Sequence, residues 1–145
     1  MYSFLKSVHS FIPYILLFLL MVSILVFTIK WVSKRNFAKG DKMLALFTLI
    51  FSHVQFLVGL ILYFISPLVT TAFKNSDQIM SNDTYRFYAV EHILTMLLAV
   101  IMITLGYRKS KKAGTATAKF RNLTLLYLLG FILMLSRIPW EAWSQ

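Results

Sequence analysis

The sequence predicts an all-α integral membrane protein, a four-helix up-down bundle with both termini on the outer side. Three observations carry this. First, 59% of the 145 residues are hydrophobic, against roughly 45–50% in a soluble domain. A chain this short has too much surface for its volume to hide the excess, so lipid must be the solvent for much of it. Second, the apolar residues come in four runs, each near the ~20 residues that cross ~30 Å of hydrocarbon. Third, eleven of the 15 basic residues fall in two short stretches between those runs. Lys30, Lys34, Arg35, Lys39 and Lys42 form one, and Arg108, Lys109, Lys111, Lys112, Lys119 and Arg121 the other. Such clustering marks cytoplasmic loops. It also reads the net charge of +10 as topology, not as a nucleic-acid surface.

Helix one is expected over about residues 8–31, with Pro13 in its first turns, where a missing N–H does little harm. Its apolar run is longer than the 7–15 residues of a signal-peptide core and no small-residue cleavage site follows. It ends instead in Lys30 and Trp31, a membrane exit. Gly40-Asp41 breaks the loop, and helix two follows over about 43–65. It stops at Ser66-Pro67, because a residue before proline is pushed out of the α region. Residues 67–83 form a polar outer loop whose first part lies in the interface. Helix three is expected over about 84–107. A basic turn with Gly114 leads to helix four, about 120–138, which ends before Pro139, with Trp140 and Trp143 as interfacial anchors. Short connections favour neighbouring antiparallel helices in one transmembrane domain spanning 1–145. The sequence holds no internal repeat, nucleotide loop or catalytic triad pattern.

There is no cysteine, which removes disulfides, thiolate chemistry, iron–sulfur clusters and covalent haem attachment. Attention therefore falls on polar side chains inside the spans, where each needs a partner or a function. These are His9, His53, Gln55, Glu91, His92 and Arg137. Counting ~1.5 Å of rise per residue from the expected helix ends puts His53 roughly 15 Å deep and His92 roughly 10 Å below the outer surface. The two then differ in depth by roughly 5 Å and face each other across helices two and three. His9 lies at the outer mouth. Small residues (Ala89, Thr95, Ala99, Gly106) share His92's stripe, and a bulky wall of Phe56, Leu60 and Phe64 lies beside His53.

Haem b suits such a pair. A neutral imidazole gives one nitrogen to iron while its other N–H meets an acceptor. Arg86, Arg137, Tyr85 and Tyr88, towards the outer end, are candidate partners for the propionates. His9 with His92 is the alternative ligand pair, since helices one and three are diagonal and both residues lie outward. Each histidine also has a purely structural reading, as a hydrogen-bonding residue between helices. Glu91 and His92 point about 100° apart, so Glu91 is expected to pair with Arg137 or Arg86. The seven methionines scatter over helical faces as packing.

Five segments carry a resemblance that covers nearly the whole chain. They are His9-Ser10, the run from Phe51 to Phe64 that contains H-x-Q-x-x-x-G-x-x-L-Y-F, Arg86 to His92, Gly106 to Ala113, and Ser136-Arg137-Ile138-Pro139-Trp140. Together they resemble small bacterial four-helix membrane proteins labelled cytochrome b-like. The resemblance implies a bacterial inner-membrane location with the termini periplasmic. It also implies haem b held by His53 and His92, and electron transfer within or to a respiratory or oxidoreductase partner. This sequence departs from the family at Ile93, where proline is usual, which straightens the helix after His92. The competing expectation is a non-enzymatic subunit or assembly factor with structural histidines. Four short helices without a broken span or inverted repeat are poor material for a permease, although an oligomer could build a pore.

Overall fold

The computed structural model describes residues 1–143 and is helical throughout its regular elements. Helix α1 (Tyr2–Val32) begins earlier than expected, so Pro13 lies three turns inside it and not at its start. Its buried stripe is Leu16, Leu20, Ser23 and Phe27, at helical spacings of four, three and four. A left-handed residue, Lys34 at φ 51°, helps turn the chain towards α2 (Lys39–Ile65). Asp41 fastens that start. It is 3% exposed, takes an ion pair from Lys30 at 2.7 Å and accepts the Ala38 N–H at 2.8 Å. Helix α2 stops at Ile65 ahead of Pro67, as the sequence requires.

The expected polar loop is partly helical. Ser66 opens α3 (Pro67–Lys74), its hydroxyl accepting the Val69 N–H, and a single 3₁₀ turn follows at Ser76–Gln78. Val69, Ala72 and Ile79 are buried, and Ala72 and Ile79 pack with Ala89 of the third span. That span runs from Asp83 to Lys112 in three pieces. These are α4 (Asp83–Arg86), a π turn (Phe87–Glu91), and α5 (His92–Lys112). Thr115 caps α6 (Ala116–Ser136), and the short α7 (Trp140–Trp143) follows Pro139.

Helices α1 and α5 each pack against both α2 and α6. The four long helices thus form an up-down ring with α1 and α5 on one diagonal and α2 and α6 on the other. Both ends of the described chain meet at one end of the bundle, where Trp143 donates to the Ser10 carbonyl at 3.1 Å and its ring lies 4.5 Å from that of Tyr14. The core is centred on Leu16, Leu20, Phe27, Ile103, Phe120 and Tyr127. Ser23 and Thr48 share a hydrogen bond of 3.0 Å between α1 and α2. At the other end, Tyr127 reaches across a diagonal to donate to the Ala45 carbonyl at 2.7 Å.

The outer faces carry Phe11, Phe18, Leu25, Leu57, Leu129 and Ile132, all exposed. A large apolar surface surrounding a core that holds hydroxyl pairs is the arrangement a bilayer requires. The four long spans are long and apolar enough to cross a membrane, which makes this a multi-pass membrane protein by construction.

Candidate functional site

The polar residues near the end of the bundle that holds both termini gather where α1 and α5 face each other. The His9 and His92 ring centroids are 6.3 Å apart, with the ring planes at 80°. His92 is fixed first. It follows the π turn directly, and its backbone N–H bonds the Phe87 carbonyl, five residues back. A π turn adds a residue to one helical turn and so shifts every later side chain by about 100° from an uninterrupted helix. Ring Nδ1 of His92 lies 2.7 Å from the Arg137 carbonyl at the end of α6. A carbonyl can only accept, so Nδ1 carries the proton and Nε2 is left with its lone pair. The Phe87 ring stacks on His92 at 5.9 Å.

His9 is held by α2. Pro13 has no N–H to give the His9 carbonyl four residues back, and the Gln55 amide nitrogen donates to that carbonyl instead, at 2.9 Å. The ring lies on Gly59. A Cβ built there would come within 2.7 Å of His9 Cε1, so the absence of a side chain at 59 is what admits the imidazole. His9 Nδ1 and Gln55 Oε1 are both buried without a hydrogen-bond partner.

Around this pair, Glu91 binds two guanidinium groups, Arg86 Nε at 2.9 Å and Arg137 Nε at 3.4 Å. The expected pairing of Glu91 with one arginine or the other is met by both. Arg86 is held by three partners, since it also donates to Asp83 and to the Met80 carbonyl, each at 2.8 Å. Arg137 donates to Ser136 O and is more open to solvent. Tyr88 packs against Phe87 at 5.0 Å, close to Glu141 and Tyr2.

His53 is placed elsewhere. It is exposed on α2 and its Nε2 lies 2.9 Å from Thr104 Oγ1. Thr104 is twelve residues past His92, roughly 18 Å further along α5. The expectation that His53 and His92 face each other at similar depth is therefore corrected, and the cause is register. Tyr63 donates to the Ala89 carbonyl at 2.7 Å, which sets the third span against α2 so that its first turns rise beyond the end of α2. Depth counted from expected helix ends missed this offset, because the loop before the span is itself packed structure.

The sequence marks Gln55 as a polar residue in need of a partner between helices, which the His9 carbonyl supplies, but does not single out Gly59 as a ring seat. One signal was readable. Pro13 follows His9 by four, so in a long helix the His9 carbonyl must find an outside donor. Gln55 and Gly59, four apart on α2, share one face. The π turn left no mark in the composition.

An imidazole pair at this spacing can hold one metal ion. Two metal–nitrogen bonds of ~2.0–2.1 Å plus the two ring-centre offsets add to roughly 6.3 Å. Among the described residues no group of three or more His, Cys, Asp or Glu is gathered. Two imidazoles alone would suffice for a group that brings its remaining ligands with it. Comparison with known proteins finds no matching family model, no similar curated protein and no similar solved structure.

Proposed function

We propose that this chain is a membrane haem b protein of the cytochrome b-like kind, passing single electrons in a bacterial cytoplasmic membrane, with His9 and His92 as axial ligands. The observation that carries the reading is the 6.3 Å separation of the two rings across the α1–α5 diagonal. It favours this pair over His53 with His92, since His53 is spent on Thr104.

Haem b, when held by His9 and His92, would supply one-electron chemistry. The chain's own residues do the rest. The Arg137 carbonyl orients His92 and fixes its tautomer, so that Nε2 is the free donor. Gly59 makes room for His9 beside α2. Of the two arginines expected to meet propionates, Arg137 is the more open to solvent and the less engaged, with two partners against the three of Arg86. Phe87 stacks on His92 and both imidazoles are partly buried, which would limit water at a bound group. The partner is a respiratory or other redox protein of the same membrane, and a second copy of the chain is compatible with the reading.

The test is a reduced-minus-oxidised spectrum of protein purified from haem-replete cells. A shifted Soret band with sharp α and β bands is expected. His9→Ala and His92→Ala should abolish it, and His53→Ala should leave it. A flat spectrum from folded, haem-replete protein would sink the proposal. The second reading, a non-enzymatic subunit or assembly factor with structural histidines, is favoured by the His53–Thr104 bond. It predicts colourless protein and only a loss of stability in the variants.

A further inference from the structure

We infer that Gln55 is the positioning residue of His9, holding its backbone through the amide nitrogen and taking its ring proton through the amide oxygen. The inference deepens the His9–His92 reading and rests on it for its consequence at the cofactor. It starts from the proline. Pro13 strips the His9 carbonyl of its helical donor, and Gln55 Nε2 replaces that donor at 2.9 Å. With the nitrogen so used, the amide cannot flip without breaking this bond, and Oε1 is fixed as a buried acceptor.

That acceptor has no partner, and neither has the buried Nδ1 of His9. Three buried side-chain polar atoms are unpaired among the described residues, and two of them belong to this already bonded pair of residues. A buried polar atom left unpaired has lost its bonds to water without replacement. One N–H from the ring to the amide oxygen satisfies both atoms at once. The ring lies against the same stretch of α2. It rests on Gly59, one turn beyond Gln55, and the Gln55 main-chain carbonyl also faces it.

The result is symmetry at the site. His92 already gives its Nδ1 proton to an amide oxygen, that of Arg137. His9 would give its own to Gln55, and each imidazole would then present Nε2 to the space between them. An acceptor on the far nitrogen fixes the tautomer and raises the basicity of the near one. Gln55 would thereby tune the potential of anything the pair holds.

The experiment separates the two duties of Gln55 by means of Pro13→Ala. The restored N–H at position 13 takes over the His9 carbonyl, so folding no longer depends on the Gln55 amide nitrogen. In that background Gln55→Leu and Gln55→Glu are compared, with Gln55→Met as the second apolar variant should the leucine form not fold. The first readout is ¹⁵N NMR of the histidine rings in full-length, detergent-solubilised protein. Pro13→Ala alone and with Gln55→Glu should keep His9 protonated at Nδ1, and the Leu or Met variant should lose that preference. The second readout is the midpoint potential after loading with haemin, expected to rise with Leu or Met and to fall with Glu.

An unchanged His9 tautomer in the Leu and Met variants would overturn the inference and assign the ring proton to the Gln55 main-chain carbonyl. A tautomer switch in a chain that takes up no haemin would support Gln55's role while sinking the cofactor reading. Retained haem with unchanged potentials would overturn the tuning claim.

Discussion

Glu91 shows how much a single residue can organise when the solvent is lipid. Its two oxygens meet Arg86 and Arg137, and so join α4, the π turn and the end of α6. Glu91→Gln keeps the shape and removes the charge, leaving two cations facing each other. The group is 31% exposed, so the cost should be about 1 kcal/mol, nearer a surface pair than a buried one. Thermal unfolding in detergent measures it. Arg137→Ala should leave the His92 anchor intact, because a main-chain carbonyl and not the guanidinium accepts the ring proton; the ¹⁵N signals of His92 check this. Thr104→Val removes the partner of His53, an interhelical bond worth about 0.6–1.7 kcal/mol, and should not alter any haem spectrum. His53 thus separates from His9 and His92 by experiment as it does in space. At this scale the sequence picked out the polar side chains inside the spans but paired the histidines by depth. Depth needs the register, and the register depends on a tertiary hydrogen bond from Tyr63 that no local pattern encodes.

Among the elements, the four spans were legible because apolar runs of this length have one physical outcome in a membrane. Their ends were less so. Helix α1 starts at Tyr2 and α5 continues to Lys112, since charged side chains near a span's end can keep their helical bonds while reaching towards water. That α5 and α6 are neighbours was legible from their short connection, but the closeness of their contact was not. It depends on which small residues meet, and periodicity alone does not say. Gly130 sits against Ile103 and the Ala99 carbonyl, where a Cβ would fall 2.8 Å and 3.1 Å from those atoms. Gly106 meets Leu126 and Tyr127 in the same way, at 3.0 Å and 3.1 Å. Both glycines allow close helix approach, as small residues do in membrane interfaces. Gly130→Ala should therefore destabilise by about 1–3 kcal/mol, the usual cost of overpacking. Gly40→Ala, with nothing within 4 Å, should be far milder. An SDS unfolding titration comparing the two decides it. Equal effects would mean that intrinsic glycine propensity, not contact, governs the Gly130 site.

For the whole molecule, charge is distributed by end. The two basic connections carry eleven of the 15 cations, with Asp41 as the one acid beside them. The opposite end holds Lys6, Lys74, Arg86 and Arg137 against Asp77, Asp83, Glu91 and Glu141. The entire net charge of +10 thus belongs to one end of the bundle, and the imidazole pair lies towards the neutral one. An up-down ring forces both termini to that neutral end, and the positive-inside rule then predicts that it faces outward. The chain contains no cysteine, so single cysteines report topology without background. Ser3→Cys and Ser76→Cys should react with a membrane-impermeant maleimide in intact cells. Asn36→Cys and Gly114→Cys should react only after permeabilisation. The reverse pattern would place the histidines on the cytoplasmic half and move the expected redox partner with them. Neutralising Arg108, Lys109, Lys111 and Lys112 together should weaken the bias and give a mixed labelling pattern, because orientation depends on the cation difference between the two ends.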